Sequence, residues 1–394
     1  MAFDKMILKQ LLKKVDDVSF EVKFPDGEVL KAGQDEPIAV IRVNGNIEVG
    51  ALMKSPSLTL GEAYMDKILE LEQGNLFEIL NLVLAKLEDF SSDFSGLSKI
   101  MKTSTSKKNQ KKEIASHYDI GNAFFELWLD ETMSYSCGYF RQPTDTLYMA
   151  QMNKVDYILK KLNLKPGQTL LDIGCGWGYL LLAAAQKYKV KGVGITLSEE
   201  QYRKGQERIK AEGLEGQVEI RLMDYRDLEK SGMQFDRIVS VGMLEHVSRD
   251  NYPLFMKNID KALNPKGLVL LHYISGRQEH DGDPWIKKYI FPGGIIPSLR
   301  EILHLVGEHN YYTLDVESLR RHYERTLLEW AKNFAAKREV IDTMFEERFV
   351  RMWELYLVAC ASVFHNGICD IHQVLFSKGV DNTLPMTRDY LYRD

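Results

Sequence analysis

Between residues 147 and 274 the spacing of apolar positions switches repeatedly between two periods. Residues 148–162 are apolar at helical intervals and stop at Lys165-Pro166-Gly167, and residues 169–173 form a short unbroken apolar run. The same exchange predicts strands over 191–195, 218–221, 236–241 and 267–274, with helices among them. Short continuous apolar strands alternating with helices make a mostly parallel sheet covered on both faces, so the expected fold class is α/β. The first hundred residues read differently. Phe20, Val22 and Phe24 alternate with polar residues, Pro25-Asp26-Gly27 supplies a turn, and residues 38–43 form another strand. Residues 60–74 and 76–90 each have one mostly apolar side and are expected as helices, giving a small α+β domain.

Composition sharpens this division. With 394 residues, 45% of them apolar, the chain can bury a core in each of two or three domains. Residues 1–100 hold eleven Lys/Arg against seventeen Asp/Glu, while 101–112 hold five Lys and no acid. The expected organisation is a small N-terminal domain (1–100), a basic linker (101–112) and a catalytic domain (113–394) with an insertion around 275–345. The linker reads as solvated chain, with contact to anionic lipid as the second reading. A net charge of −5 speaks against nucleic acid as a partner, because phosphate contacts need a concentrated basic face. The longest apolar run, 355–364, is about half of a membrane-spanning helix and reads as core. The N-terminus has no secretory apolar region, so a soluble cytoplasmic protein is expected. Cys137, Cys175, Cys360 and Cys369 lie far apart without metal-ligand spacing, which predicts free thiols and no metal site.

The strongest local signal is the strand-to-helix junction Asp172-Ile173-Gly174-Cys175-Gly176-Trp177-Gly178. Glycines there let the backbone approach a ligand at the carboxyl edge of a parallel sheet, although a tight turn alone also accounts for them. The spacing is GxGxG rather than GxGxxG, which argues against a dinucleotide enzyme. The junction resembles the first motif of class I S-adenosylmethionine-dependent methyltransferases. That class usually places an acid after the second strand; here the exit is Thr196-Leu197-Ser198 with Gln201 just beyond. Asp224-Tyr225 closes the third strand, where an adenine is flanked in that class.

A narrower resemblance covers about residues 60–380. It is carried by His117-Tyr118-Asp119-Ile120-Gly121-Asn122, Tyr135-Ser136-Cys137-Gly138-Tyr139-Phe140, the glycine turn and Ile195-Thr196-Leu197-Ser198. Val241-Gly242-Met243-Leu244-Glu245-His246-Val247, Tyr289-Ile290-Phe291-Pro292-Gly293-Gly294 and His322-Tyr323-Glu324-Arg325-Thr326-Leu327 continue it in order. Together these resemble the cyclopropane-fatty-acyl-phospholipid synthases, within the cyclopropane and mycolic acid synthase family, and the Thr-Leu-Ser exit is that family's own pattern.

The resemblance implies a class I methyltransferase (Rossmann-like) sheet with a helical lipid-binding cap. It implies transfer of a methylene group from S-adenosyl-L-methionine to a cis double bond of a phospholipid acyl chain. An alkene is a poor nucleophile, so the chemistry needs a dry, positioned site and stabilisation of a carbocation. By the same resemblance the base is a bound bicarbonate held by Cys137, Glu245, His272, the backbone of Ile274, and Tyr323. Cofactor contacts carried over are Tyr135, Ser136, Asp172, Gly174, Cys175, Gly176, Gly178, Thr196, Leu197, Ser198, Gln201, Asp224 and Tyr225. Taken singly, each candidate has an ordinary reading: Cys137 as a packed thiol, His272 as a structural histidine, Glu245 as a helix cap and Tyr323 as core. The apolar residues of 285–306 fit either a soluble core or an acyl-chain tunnel, with Gly293-Gly294 as a hinge. Further implied are a homodimer, contact with the inner membrane surface, and lipid recruitment by the N-terminal domain. The alternatives are an acyl C-methyltransferase that leaves a methyl branch, an enzyme acting on a small amine, and a silent lipid-binding protein.

Overall fold

The computed structural model describes residues 19–85, 120–279 and 281–392. The linker 101–112, the first eighteen residues, the end of the helix expected over 76–90, and His117, Tyr118 and Asp119 lie outside the described residues. The chain divides into two compact units. One comprises Met1–Lys102, Asp283–Ile290 and Leu327–Ile368; the other comprises Thr103–Gly282, Phe291–Thr326 and Cys369–Asp394. The stretch 275–345 therefore contributes to both.

The first unit contains strands β1 (Phe20–Lys23), β2 (Val29–Ala32), β3 (Ala39–Val43) and β4 (Leu69–Gln73), in the order β2-β1-β3-β4. Phe20, Val22 and Phe24 point into a small core with Ala39 and Val43. The Gly27 amide donates to the Phe24 carbonyl (3.0 Å) and closes the turn between β1 and β2. The helix expected over 60–74 is a misreading. A helix runs over Pro56–Met65, Lys67 turns left-handed (φ 58), and Leu69–Gln73 is the strand β4. Leu69 and Leu71 pack on the core while Glu70 and Glu72 alternate with them, a period of two inside an apparently helical window. The helix Glu347–His365 buries Trp353, Leu357 and Ala361 completely, as expected of its apolar run.

The second unit is built on seven strands: β5 (Thr169–Ile173), β6 (Lys191–Thr196), β7 (Val218–Leu222), β8 (Phe235–Val241), β9 (Leu263–Gly276), β10 (Tyr311–Ser318) and β11 (Cys369–Lys378). Their order is β10-β11-β9-β8-β5-β6-β7. Pairs from β9 through β7 are parallel, and β11 runs antiparallel to both β9 and β10. Successive side chains go to opposite faces, which is why the strands read as continuous apolar runs. Leu171, Ile173 and Leu271 enter one core layer with Phe255 and Ile259, while Leu170, Val239 and Leu270 enter the other with Ile158, Leu181 and Ile209. Ile302 and Val306 of the helix Leu299–Glu308 are 1% exposed and complete the first layer, with Leu299 and Leu303 packed against it. Those positions are core.

Chain order reverses between β5 and β8: β6 and β7 lie on one side of β5, β8 and β9 on the other. A crevice opens at the carboxyl ends of strands at such a point. Gly194 of β6 lies beneath it, and a Cβ there would sit 2.7 Å from both Cys175 Sγ and Leu181 Cδ1. Gly194→Ala is expected to destabilise the protein by about 1–3 kcal/mol, measured by urea unfolding.

Candidate active site

The crevice is a cavity of about 140 Å³ at the carboxyl ends of β5, β6 and β8. Its floor is the glycine turn. The Gly174 and Cys175 amides both donate to the Ile195 carbonyl (2.9 and 3.1 Å), which ties the turn to β6. Gly176 has φ 54, and a Cβ on it would meet nothing within 4 Å, so backbone faces open space there. Tyr135, Ser136, Asp172, Gly174, Cys175, Gly176, Thr196, Leu197, Gln201 and Tyr225 all line the cavity. Thr196 Oγ1 donates to Gln201 Oε1 (2.8 Å), joining the β6 exit to the next helix.

Three expected residues do not line it. Gly178 begins the helix Tyr179–Tyr188 with φ 83. Ser198 Oγ accepts from the Gln201 amide (3.3 Å) and caps the helix Glu199–Ala211. The Asp224 carboxylate is occupied by Arg226, whose Nη2 lies 2.6 Å away. It is Tyr225 that faces the cavity, its ring edge-on to Phe255 and its hydroxyl buried without a hydrogen-bond partner.

Other residues shape the cavity, and of these Lys154 and Arg208 escaped the sequence. Trp177 Nε1 donates to Asn122 Oδ1 (2.7 Å), so the described end of the His117–Asn122 motif holds the glycine turn. Lys154 is 3% exposed and donates to Ser136 Oγ (2.8 Å). Its signal was a lysine on the buried stripe of the helix Leu147–Lys161, between Gln151 and Ile158. Arg208 reaches from the helix Glu199–Ala211 to the carbonyls of Thr132 and Glu131 (both 2.9 Å) and of Trp177 (3.4 Å). Thr132 and Trp177 line the cavity. One guanidinium thus ties two of its walls together.

None of Cys137, Glu245, His272, Ile274 or Tyr323 lines this cavity, but three of them adjoin it. Cys137 follows the lining residue Ser136, Glu245 precedes the lining residue His246, and the lining Gly242 donates to the His272 carbonyl (2.8 Å). Hydrogen bonds and strand pairing also link the five to one another. The Leu319 carbonyl accepts from the Tyr323 amide (3.1 Å) and faces Cys137 Sγ at 3.9 Å. The Leu319 amide donates to Ile371, which pairs with Ile274 across the β11–β9 ladder. The Ile274 amide donates to Glu245 Oε1 (2.6 Å), and His272 stands two residues earlier on the same face of β9.

Electrostatics distinguish these groups. Burial pushes the Glu245 carboxyl up to about 7 against the opposing pull of the Ile274 amide. Burial pushes His272 down to about 3, helped by Lys154, so its ring is neutral. Its Nδ1 lies 3.1 Å from Gln373 Nε2. With that amide donating, the ring proton resides on Nε2. His272 Nε2 and Glu245 Oε2 are both buried without a hydrogen-bond partner. One buried donor and one buried acceptor are thus left without a match among the described residues. Burial drives the Cys137 thiol far above its usual range, so it is no thiolate nucleophile.

Two outcomes follow from this geometry. Arg208→Ala should speed amide hydrogen exchange over residues 131–136 by roughly tenfold or more, with little change in global unfolding. Because the folded pKa of Glu245 is raised, its contribution to stability is present below its usual 4.5 and is lost as pH rises through about 7. The melting temperature of Glu245→Gln relative to the parent protein should therefore increase between about pH 5 and about pH 8.

Comparison with known proteins bears on the whole arrangement. Residues 105–374 match the model of the mycolic acid cyclopropane synthetase family, and residues 7–94 match a domain of unknown function. The chain is 39% identical to the cyclopropane-fatty-acyl-phospholipid synthase of Escherichia coli K12 over 93% of its length and 98% of the relative's. It is 38% identical to a probable fatty acid methyltransferase of Pseudomonas putida over 94% of this chain and 96% of that one. Among solved structures it is similar to the cyclopropane synthase MmaA2 from Mycobacterium tuberculosis, with TM-score 0.65 and 32% identity over 70% of this chain and all of that one. The coclaurine N-methyltransferase structure, at 24% identity and TM-score 0.64, shares the fold. With its glycine-turn cavity and a family match spanning most of its length, this chain belongs to the mycolic acid cyclopropane synthetase family.

Proposed function

We propose that this protein is a cyclopropane fatty acid synthase, acting with S-adenosyl-L-methionine on the cis double bond of unsaturated phospholipid acyl chains. The observation that carries the reading is Glu245: a buried carboxyl held at one oxygen by the Ile274 amide and unpartnered at the other. The cavity fits the cofactor through its open glycine backbone at Gly176 and the unpartnered, buried Asp172 Oδ1. Tyr135, Ser136, Asp172, Thr196 and Gln201 would hold it, with Tyr225 beside the base. When bound, S-adenosylmethionine supplies an electrophilic methyl carbon.

The remaining demands fall on the protein. Methylation of an alkene leaves positive charge on the acyl chain, and ring closure requires one proton to depart. Glu245 would stabilise that charge from its buried position. Cys137, Glu245, His272, the Ile274 amide and Tyr323 would hold the bicarbonate that serves as base. The unpartnered pair supports this, because His272 Nε2 offers a donor and Glu245 Oε2 an acceptor, and bicarbonate carries both complements. The reading includes a peripheral location at the inner membrane surface, lipid recruitment by the N-terminal segment and a homodimer, all three resting on the family resemblance. It needs no membrane span, and no helix among the described residues is long and apolar enough to cross a membrane.

The Pseudomonas putida relative favours a second reading, in which a separate hydride donor reduces the carbocation and leaves a methyl branch. Expression in a bacterium lacking cyclopropane lipids, followed by mass spectrometry, separates the two: a saturated methyl branch carries a further pair of hydrogens. Cyclopropane acyl chains are expected. Branched chains alone would select the second reading, and unchanged lipids with intact cofactor binding would leave a silent lipid-binding protein. Glu245→Gln should lower turnover by roughly a hundredfold or more while S-adenosylhomocysteine affinity is retained.

A further inference from the structure

The reaction as read above leaves one buried charge without a task. Lys154 lines the cavity, is 3% exposed, and among the described residues donates one hydrogen bond, to the neutral Ser136 Oγ at 2.8 Å. An ammonium has three donors, so two remain. Its surroundings supply no close counter-ion. Asp130 is spent on its own loop, accepting from the amide and hydroxyl of Thr132 (both 3.0 Å). Asp172 also lines the cavity, buried with one oxygen unpartnered, and no ion pair joins it to Lys154 among the described residues. Burial pushes Lys154 down to about 8, opposed by Asp130, Cys137 and Asp172, so the group remains mainly cationic at neutral pH. Holding such a charge in a cavity wall is costly unless an anion completes it.

The rest of the wall is built to keep this ammonium in place. Ser136, which receives its hydrogen bond, is fixed by Gln151 Nε2 donating to the Ser136 carbonyl (2.8 Å), and Gln151 is fully buried one helical turn before Lys154. Lys154, Gln151 and Ser136 thus form one assembly at the cavity edge.

We propose that Lys154 is a specificity-determining residue that pairs with the carboxylate of the cofactor's methionine moiety, next to Ser136, and so fixes which way the cofactor enters. The inference rests on the cofactor reading above. S-adenosylmethionine carries two cationic groups, the sulfonium and the α-ammonium, and one anionic group, the carboxylate. A buried ammonium attracts the carboxylate and repels the other two. A cofactor seated with its sulfonium beside Lys154 would place like charges together in a low-dielectric wall, whereas the carboxylate there neutralises it.

The test is a binding cycle read by calorimetry in bicarbonate-free buffer, so that no other anion supplies the response. S-adenosylhomocysteine is compared with its decarboxylated analogue, which keeps the ammonium and the adenosine. The parent protein should prefer S-adenosylhomocysteine by roughly 10- to 100-fold, the range of a charge-assisted hydrogen bond. Lys154→Met should lose most of that preference while binding the analogue about as well as the parent protein does. Lys154→Gln keeps a donor towards Ser136 without the charge and should lose the preference equally, which covers a fold defect in the methionine variant. A parent protein that binds both compounds alike, or variants that keep the full preference, would overturn the role of Lys154. Equal loss of both ligands in both variants would also overturn it, because Lys154 would then only shape the wall. A parent protein that binds neither compound would instead refute the cofactor reading.

Discussion

The carbonyl of Ile195 holds this site together. It belongs to the penultimate residue of β6, and it accepts the amides of both Gly174 and Cys175. Those two bonds turn the chain at the end of β5 and set the start of the helix Tyr179–Tyr188. They also keep the left-handed backbone of Gly174 and Gly176 at the cavity. Everything else in the cavity is arranged against that turn. Asn122 holds its tryptophan, Arg208 ties it to the Glu131–Thr132 segment, and Gly194 leaves room beneath it. A parallel sheet whose chain order reverses at β5 and β8 provides the gap, and the shared carbonyl makes the gap a fixed shape.

The site then keeps its buried polar groups in two sets. On the cavity wall Lys154 and Asp172 lie without a direct ion pair between them, and burial raises the Asp172 carboxyl to about 7 against the pull of Lys154. Beyond it, Glu245 and His272 are driven by burial towards their neutral forms. Burial is the main cause for His272, and the field of Lys154 adds to it. A single lysine therefore acts on both sets, drawing Asp172 towards its charged form in one and His272 towards neutrality in the other.

Much of this was legible in the chain, for definable reasons. Five strands of the main sheet, β5 to β9, could be read because covered faces make their runs mostly apolar; β10 (YYTLDVES) and β11 (CDIHQVLFSK) were not read, because polar residues interrupt both. Glycine and polar residues at strand exits marked the crevice, and ten expected lining residues, from Tyr135 to Tyr225, do line it. β4 was misread because Leu69 and Leu71 fall within a window that also satisfies helical spacing, and only the left-handed turn at Lys67 decides the matter. Asp224 was read as a ligand neighbour because sequence does not reveal that Arg226, two residues on, takes its carboxylate. Arg208 was invisible for a different reason. Its function is to bond backbone carbonyls of segments 31 to 77 residues away, and carbonyls have no signature in a sequence.

Lys154 marks where sequence patterns reach their limit and burial takes over. A lysine on the apolar stripe of a helix is usually read as a long side chain that snorkels to water. Here the stripe faces a cavity wall, and Lys154 ends within 2.8 Å of Ser136 at 3% exposure. The same helix carries a second buried lysine, Lys161, which is fully paired with Asp315 at 2.8 Å and with Glu317. Two lysines at the same depth on one helix thus meet opposite conditions. Lys161 is neutralised by the protein, and its role is complete in the folded chain. Lys154 lacks such a pair, and a fold that tolerates an incompletely neutralised buried cation at the edge of a ligand cavity gains nothing from it until an anion arrives.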